Sequence, residues 1–323
     1  MRNTEKNQNN PFPYSDSNKR YHTYDYDLRV RFGGKTAKLP IDGGFTCPNI
    51  DGTKGRGGCT YCSKRPLPGR GKPVAVQYAE AREAVLKKWG GVMEEERYLP
   101  YFQMFTNTYA PTDTLKRLFE EALSQPKAVG LVISTRADCI SDETAAYLNE
   151  LSKTTDLTVE LGLQTVHEAT AKRINRCHTY ADFLEGFRKL EGIRRCVHLI
   201  DGLPGENREM MLESAREMAR IRPEQVKLHL LYFVRGTAMC REYEEGRVVP
   251  MEREDYVSAV VSQLELLPPE TVIGRVTGDG LPDELVAPLW SRKKLVVLNE
   301  IDKLFVKKDS WQGKLYKLDK NNG

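Results

Sequence analysis

Apolar residues recur along this chain in two alternating patterns. Short, continuous apolar runs, typical of strands buried on both faces, alternate with segments in which apolar residues return every three or four positions, as on one face of a helix. Leu115, Leu118, Phe119 and Ala122 show the helical spacing. The predicted strands lie near residues 36–41, 98–105, 128–134, 157–162, 197–202 and 226–233.

Six strands separated by helix-length segments predict an α/β protein whose parallel strands are joined by right-handed crossovers. A helix over 253–267 and a strand over 272–276 would extend the series. Periodicity alone leaves an open doubly wound sheet and a barrel both possible. Residues 1–19 are polar and predict a disordered or loosely attached tail.

The composition narrows the class of protein. The 323 residues are enough for one large barrel-like domain or two ordinary ones. The chain has no apolar run near the roughly eighteen residues of a membrane span, and its first ten residues lack a signal-peptide core, so we expect a cytoplasmic protein. The net charge of +4 is compatible with a nucleic-acid partner without requiring one.

The cysteines are the strongest chemical signal. Seven thiols, an odd number, favour metal binding or redox chemistry over a disulfide framework. Cys47, Cys59 and Cys62 lie in one glycine-rich segment, 47–62, that is unsuited to helix or strand. Three thiolates would hold a 4Fe–4S cluster and leave one iron open for another ligand. The other four show no ligand spacing and are interpreted as packing residues: Cys139, Cys177, Cys196 and Cys240.

Two other interpretations of the cysteine segment stay open. A Cys-x-x-Cys pair also occurs in structural zinc sites and in redox dithiols. Zinc would need a fourth ligand, and the chain has no second Cys-x-x-Cys and no His-x-x-x-His. A zinc-containing RNA-binding module without catalysis is therefore a separate hypothesis.

The segments Gly-Phe-Thr-Cys-Pro-Asn-Ile-Asp-Gly-Thr and Gly-Gly-Cys-Thr-Tyr-Cys resemble the radical S-adenosylmethionine (SAM) superfamily. More narrowly, the chain is similar to the bacterial YhcC/YtqA-like group, relatives of the elongator catalytic subunit and of oxygen-independent coproporphyrinogen oxidase. The resemblance runs from about residue 20 to about residue 304. Eleven residues separate Cys47 from Cys59, where the superfamily commonly has three, and this wide spacing narrows the group.

The resemblance implies a partial (β/α)6 TIM-like barrel, open on one side, over residues 20–280. A basic helical extension over 281–323 would pack on it. The implied cofactors are a 4Fe–4S cluster on Cys47, Cys59 and Cys62, and SAM at the open iron. One electron from flavodoxin or ferredoxin would then release a 5′-deoxyadenosyl radical that takes hydrogen from an unactivated carbon.

The resemblance also implies SAM contacts in the loops that follow the strands, where such folds build their active sites. Arg176 would meet the SAM carboxylate, since a planar guanidinium binds a carboxylate with two hydrogen bonds. Glu160 stands in an apolar strand, where a charge needs a partner. The full predicted set is Tyr61, Thr106, Asn107, Thr108, Ser134, Arg136, Glu160, Gln164, Arg176, His198, Leu203 and Pro204. Turn residues, a solvated arginine and a core histidine are the alternatives.

Lys227 and His229 are the predicted catalytic residues. They alternate inward on the sixth strand, with Leu228 and Leu230 facing the other way. Lys227 needs a partner inside a barrel, which is either the substrate or an internal carboxylate such as Glu160 or Asp201.

The substrate prediction comes from charge and from the resemblance. Residues 51–72 hold six Lys and Arg against one acid, and residues 292–320 hold nine against four. Such stretches suit a phosphate-rich substrate, although solvated faces are also Lys-rich. The resemblance implies action on a tRNA wobble uridine side chain, for example conversion of carboxymethylaminomethyl to aminomethyl. A small metabolite or a tetrapyrrole is the alternative substrate.

Overall fold

The structure is a computed structural model that describes residues 10–91, 95–278 and 283–317. Helix α1 (Tyr24–Phe32) precedes a series in which strands and helices alternate. The series is β1 (Ala37–Ile41), α2 (Val74–Lys88), β2 (Tyr98–Phe102), α3 (Thr112–Leu123), β3 (Leu131–Thr135), α4 (Asp142–Ser152), β4 (Leu157–Gln164), α5 (Glu168–Arg173), α6 (Tyr180–Arg188), β5 (Arg194–Asp201), α7 (Arg208–Ile221) and β6 (Gln225–Leu230).

The remaining elements add one strand to this series, a short pair of strands and three helices. They are β7 (Phe233–Val234), α8 (Ala238–Glu244), α9 (Arg253–Leu266), β8 (Val272–Arg275), β9 (Leu285–Ala287) and α10 (Lys294–Lys307). A short 3₁₀ turn, Ala137–Cys139, follows β3. No helix of the described part is long and apolar enough to cross a membrane.

Seven parallel strands form one sheet in the order β1-β2-β3-β4-β5-β6-β8. The sheet curls into a half-barrel whose edge strands, β1 and β8, do not pair with each other. This confirms the predicted partial barrel, and β8 is the extension expected near 272–276. Alternate residues of each strand face the interior, so register neighbours such as His198 and Lys227 share the inner face.

The sixth predicted strand, 226–233, is wrong at its carboxyl end. β6 stops at Leu230, and Phe233 begins β7, which pairs antiparallel with β9. The apolar run continues through this change of direction because Leu231 and Phe233 are buried in a separate apolar cluster with Ile174 and Leu203. The apolar run in the sequence is continuous because β6 is buried in the main sheet and the residues after it are buried in this second cluster.

Helix α1 lies across the amino-terminal end of the barrel. Leu28 packs there against Leu99 of β2 and Val132 of β3. Asp27 and Arg31 form an ion pair on the same helix, and Arg31 also binds Asp156 before β4. These contacts close the end of the barrel opposite to the loops expected to carry the site.

The segment before α1 does not match the tail expected over 1–19. Phe12 is buried, the Asn10 side chain donates to the carbonyl groups of Ser17 and Lys19, and Lys19 pairs with Asp302 of α10. Residues 10–19 are therefore anchored by Phe12 and by the ion pair of Lys19, although half of them are exposed. Residues 1–9 lie outside the described part of the chain.

Helix α10 packs along α9 through Val297, Ile301 and Phe305, which are buried. The expected basic extension over 281–323 thus contains a helix that docks on the barrel. Its predicted start falls in residues 279–282, and its end in 318–323, both outside the described residues.

Candidate active site

The cysteine segment forms a compact loop directly after β1. Gly58 donates its N–H to the Asn49 carbonyl at 2.7 Å, and Cys62 donates to the Cys59 carbonyl at 3.1 Å. Gly57 and Gly58 have φ angles of 83° and 74°, where a side chain would be strained. These turns bring the second and third thiols back towards Cys47.

A second segment holds the loop from outside. The Asn175 side chain donates to the carbonyls of Arg56 and Gly58, at 3.1 and 2.8 Å. Thr60 donates its N–H to Ile174, and Met239 donates to the Thr60 carbonyl. The loop is therefore fixed by the chain after α5 and by the start of α8.

The three loop thiols line one cavity of about 170 Å³ at the carboxyl ends of the strands. Many of the predicted site residues line the same cavity, although they come from four different loops and from the strands β3, β4 and β5. They are Tyr61, Thr106, Ser134, Arg136, Gln164, Arg176 and His198. The fold thus brings most of the predicted SAM contacts together with the predicted cluster ligands.

The Cys59 thiol lies where burial disfavours its charged form. Burial raises the pKa of Cys59, partly offset by Arg136 and by Asn49, which donates to its sulfur at 3.5 Å. Thiols bind iron or zinc as thiolates, so metal binding here must release protons.

Two groups of possible metal ligands lie in the described part of the barrel. The ligand atoms of Glu160, Cys196 and His198 all lie within 4.8 Å of one another. The three loop thiols line one cavity, and thiolates suit both an iron–sulfur cluster and zinc.

Arg136 supports this corner of the cavity. Its guanidinium binds both carboxylate oxygens of Asp138, at 3.0 and 2.9 Å, and donates to the Arg176 carbonyl at 2.9 Å. Lys54 of the thiol loop binds Asp138 at 2.7 Å. One buried carboxylate therefore ties the thiol loop to the loop after β3.

Arg176 is fully buried and shapes the loop after β4. It donates to the carbonyls of Leu163 and Thr165, each at 2.6 Å, and to that of His178 at 3.0 Å. Its Nη2 has no hydrogen-bond partner, nor do Thr106 Oγ1 and both ring nitrogens of His178. Buried polar atoms left unpaired in a cavity fit a polar ligand such as SAM.

Five predicted SAM contacts do not line this cavity. The Asn107 amide donates to the carbonyls of Met104 and Ser134, and Thr108 bonds to Thr135, so both side chains brace the loop. Sequence identified the right loop but not the direction of each side chain. Leu203 and Pro204 line a different cavity of about 450 Å³ beside α7.

Glu160, the fifth predicted contact outside the cavity wall, is the centre of a charged group inside the barrel. It accepts hydrogen bonds from Lys38 at 2.7 Å, Lys227 at 2.6 Å, Tyr101 at 2.6 Å and His198 at 3.1 Å. Burial opposes ionisation of Glu160, but the two ammonium groups outweigh it and hold its pKa well below the usual range. These contacts define the barrel ion group: Lys38, Tyr101, Glu160, His198 and Lys227.

The barrel ion group accounts for the contacts of the two predicted catalytic residues. Lys227 is buried and binds Glu160, as the internal-carboxylate alternative predicted, and burial lowers its pKa to about 8. His229 stacks on His198 at 5.3 Å between ring centroids, and its Nε2 has no hydrogen-bond partner. Neither lines the thiol cavity, but His198 contacts both the cavity and the ion group.

Sequence reasoning missed several residues of the site. Phe105 and His178 line the cavity, and Lys38 and Tyr101 complete the ion group. Lys38 could have been predicted as a site residue, since a lysine inside a short apolar strand needs a partner. His178 could not have been predicted, because it follows α5 in an irregular loop without a recognisable pattern.

A curled parallel sheet with a three-thiol loop after its first strand defines a radical SAM enzyme. The chain belongs to the radical SAM superfamily, whose family model matches residues 51–218, while the model of the Radical_SAM C-terminal domain matches residues 223–307. It binds the cofactors of that superfamily, a 4Fe–4S cluster and SAM. A non-catalytic zinc module is therefore not retained.

Among individual relatives, the chain is 45% identical to YtqA of Bacillus subtilis (strain 168) over 315 residues, covering 96% of this chain and 97% of YtqA. It is 36% identical to YhcC of Escherichia coli (strain K12) over 280 residues, covering 86% and 89%. The solved archaeal Methanocaldococcus infernus Elp3 has the same fold, with a TM-score of 0.60 at 18% identity, covering 86% of this chain and 64% of that one.

Proposed function

We propose that this radical SAM enzyme modifies the side chain at uridine 34, the wobble position, of tRNA. The observation that carries the proposal is similarity to proteins whose names point to that nucleoside or to elongator. The chain is 25% identical over 161 residues to the tRNA uridine(34) acetyltransferase of Methanocaldococcus jannaschii, covering 48% of this chain and 29% of that protein. It is 29% identical over 202 residues to human elongator complex protein 3, covering 59% and 36%.

Cys47, Cys59 and Cys62 would hold the cluster. When bound, the cluster and SAM supply a carbon-centred radical able to take hydrogen from an unactivated carbon. Flavodoxin or ferredoxin is the proposed electron donor. The cytoplasm is the proposed location, and the barrel is assigned to residues 20–280, with the basic extension at 281–323.

The protein's own residues would orient SAM and exclude water. The Nη2 of Arg176 has no hydrogen bond and lies 3.9 Å from Glu168. This atom and the unpaired Oγ1 of Thr106 would meet the polar groups of the amino acid or ribose of SAM. Tyr61 and Gln164 line the same cavity and complete the proposed contacts. A cavity lined largely by protein side chains would keep competing hydrogen donors away from the reacting carbon.

The barrel ion group would bind the substrate side chain. Lys38 and Lys227 together carry one more positive charge than Glu160 neutralises. A surplus buried cation suits a substrate carboxylate, which a carboxymethylaminomethyl uridine provides. His229 lies beside this group with an unpaired Nε2 that would contact the same substrate.

Nucleoside mass spectrometry of tRNA from a deletion strain tests the proposal. We expect a modified uridine to accumulate as its unprocessed form, for example carboxymethylaminomethyl uridine in place of aminomethyl uridine. The wild-type gene should restore the normal profile, and a gene carrying Cys59→Ser should not. An unchanged nucleoside profile would remove tRNA from the proposal and leave a small metabolite or a tetrapyrrole as substrate.

A further inference from the structure

The largest cavity beside the thiol loop is not used by the proposed chemistry. It has a volume of about 650 Å³ and lies between the thiol loop, Asn175 and the start of α8. Five cationic side chains and one carboxylate line it, and we refer to it as the basic cleft: Arg56, Lys64, Arg65, Arg235, Arg241 and Glu284.

Most of this positive charge is uncompensated. Arg65 is neutralised by Glu284 at 2.5 Å and by Asp283 at 3.3 Å. The other four cations of the basic cleft are exposed and form no ion pair within the part of the chain that the structure describes. By contrast, the nearby Arg173 and Arg247 both pair with Glu242. Unpaired positive charge is therefore concentrated in the basic cleft, whereas the nearby arginines are neutralised by a carboxylate.

The basic cleft shares a wall with the thiol cavity. Cys59 and Cys62 line both, and the Cys62 side chain is exposed. The turn between these two residues is anchored on both neighbouring segments, as described for Thr60. A molecule seated in the basic cleft is thus separated from two predicted cluster ligands by little more than that turn.

We propose that the basic cleft docks an acidic one-electron carrier protein with the chemistry of a flavodoxin or a ferredoxin. The carrier loses one electron and the cluster gains it, and no bond is formed or broken. Opposite charge steers such partners together. Electron transfer requires a short distance between the carrier and the cluster, whereas binding of RNA phosphates does not. The wall shared with the thiol cavity therefore favours a carrier over tRNA. The inference rests on the radical SAM chemistry and not on the tRNA substrate.

The test uses the reconstituted protein with Arg235→Glu and Arg241→Glu together. Neither side chain lines the thiol cavity. We expect at least about a tenfold increase in the Kd for reduced flavodoxin and for reduced ferredoxin, measured by titration calorimetry at an ionic strength of about 0.1 M. The rate of cluster reduction by either carrier, followed by absorbance, should fall similarly. SAM cleavage driven by dithionite, a small reductant, should be unchanged, which also shows that the variant is folded.

The control is Lys116→Glu with Arg117→Glu on α3, two exposed residues with the same change of charge. It should leave the Kd within about twofold, since charges beyond about 10 Å are screened. Unchanged carrier binding in the basic-cleft variant would overturn the inference. Loss of tRNA binding with normal reduction by both carriers would overturn it as well, and would identify the basic cleft as an RNA surface. None of these measurements requires tRNA to be the substrate.

Discussion

At the scale of single residues, the charge of Glu160 has the largest consequence. Its carboxylate is fully buried and compensates the buried ammonium group of Lys227 and the partly exposed one of Lys38. Removing one partner of a buried charged group leaves the others unpaired, which costs about 3–5 kcal/mol.

We therefore expect Glu160→Gln to lower the free energy of unfolding by about 3–5 kcal/mol in urea titrations of the protein without its cofactors. Glu209→Gln is the control, because Glu209 and its partner Arg216 are exposed. It should change stability by no more than about 1 kcal/mol. Equal effects of the two substitutions would show that the barrel ion group is solvated.

The site residues were predictable where charge conflicts with surroundings. A glutamate and a lysine in apolar strands must find partners, and the sequence anticipated the pairing of Lys227 with Glu160. Side-chain direction within a loop has no such signal. Asn107 therefore was expected at the cofactor but binds backbone carbonyls, and His178 was missed.

At the scale of elements, Gly186 shows how closely α6 approaches the turn after β3. A Cβ at this position would lie 2.0 Å from the Ala137 carbonyl oxygen. Alanine usually stabilises a helix relative to glycine. Here it would push apart two backbones, one of which carries Arg136 and Asp138.

Gly186→Ala should consequently destabilise the protein by about 1–3 kcal/mol, the usual cost of overpacking, as measured by urea unfolding. Glu185→Ala, on the exposed face of the same helix, should be within about 0.5 kcal/mol of wild type. A stabilising effect of Gly186→Ala would mean that α6 can move away from the turn at little cost.

The contact between β5 and α9 predicts a pH dependence. Asp201 is buried and accepts a hydrogen bond from Gln263 at 2.8 Å, while its other oxygen has no partner. Burial raises its pKa from 3.8 to about 7. The folded state thus binds the proton more tightly than the unfolded state, so this group's contribution to stability is lost as pH rises from about 4 to about 7.

Asp201→Asn should remove that loss. We expect it to stabilise the fold by about 1–3 kcal/mol at about pH 8 and to have little effect at about pH 4.5. Denaturant titrations of both proteins at the two pH values measure the difference. The same effect at both values would assign it to packing instead of ionisation.

The order of strands and helices followed from periodicity, because each buried strand and each amphipathic helix has its own repeat. Elements without a repeat were not recovered. Helix α1 is short and carries apolar and charged residues on all sides, and β7 continues the apolar run of β6. The polar composition of residues 10–19 gave no sign of the contacts of Phe12.

At the scale of the whole molecule, the thiol loop is held by hydrogen bonds from the chain after α5 and from α8, so a bound cluster would link distant parts of the barrel. A ligand that binds only the native state raises its stability. Anaerobic reconstitution with iron and sulfide should therefore raise Tm and give absorbance at about 400 nm.

Cys59→Ser should show neither the absorbance nor the increase in Tm. Cys240→Ser, which alters a buried thiol of α8 that does not line the cavity, should show both. A colourless wild-type protein with one bound zinc ion would contradict the assignment of the cluster.

The barrel ion group also bears on how this sequence can change over time. Each of its charges is tolerated only because the opposite charges stand beside it, so replacing one member alone lowers fitness before a second change can compensate. Positions 38, 160 and 227 are therefore expected to mutate as a set: related proteins should keep all three charges or have exchanged them together for neutral side chains.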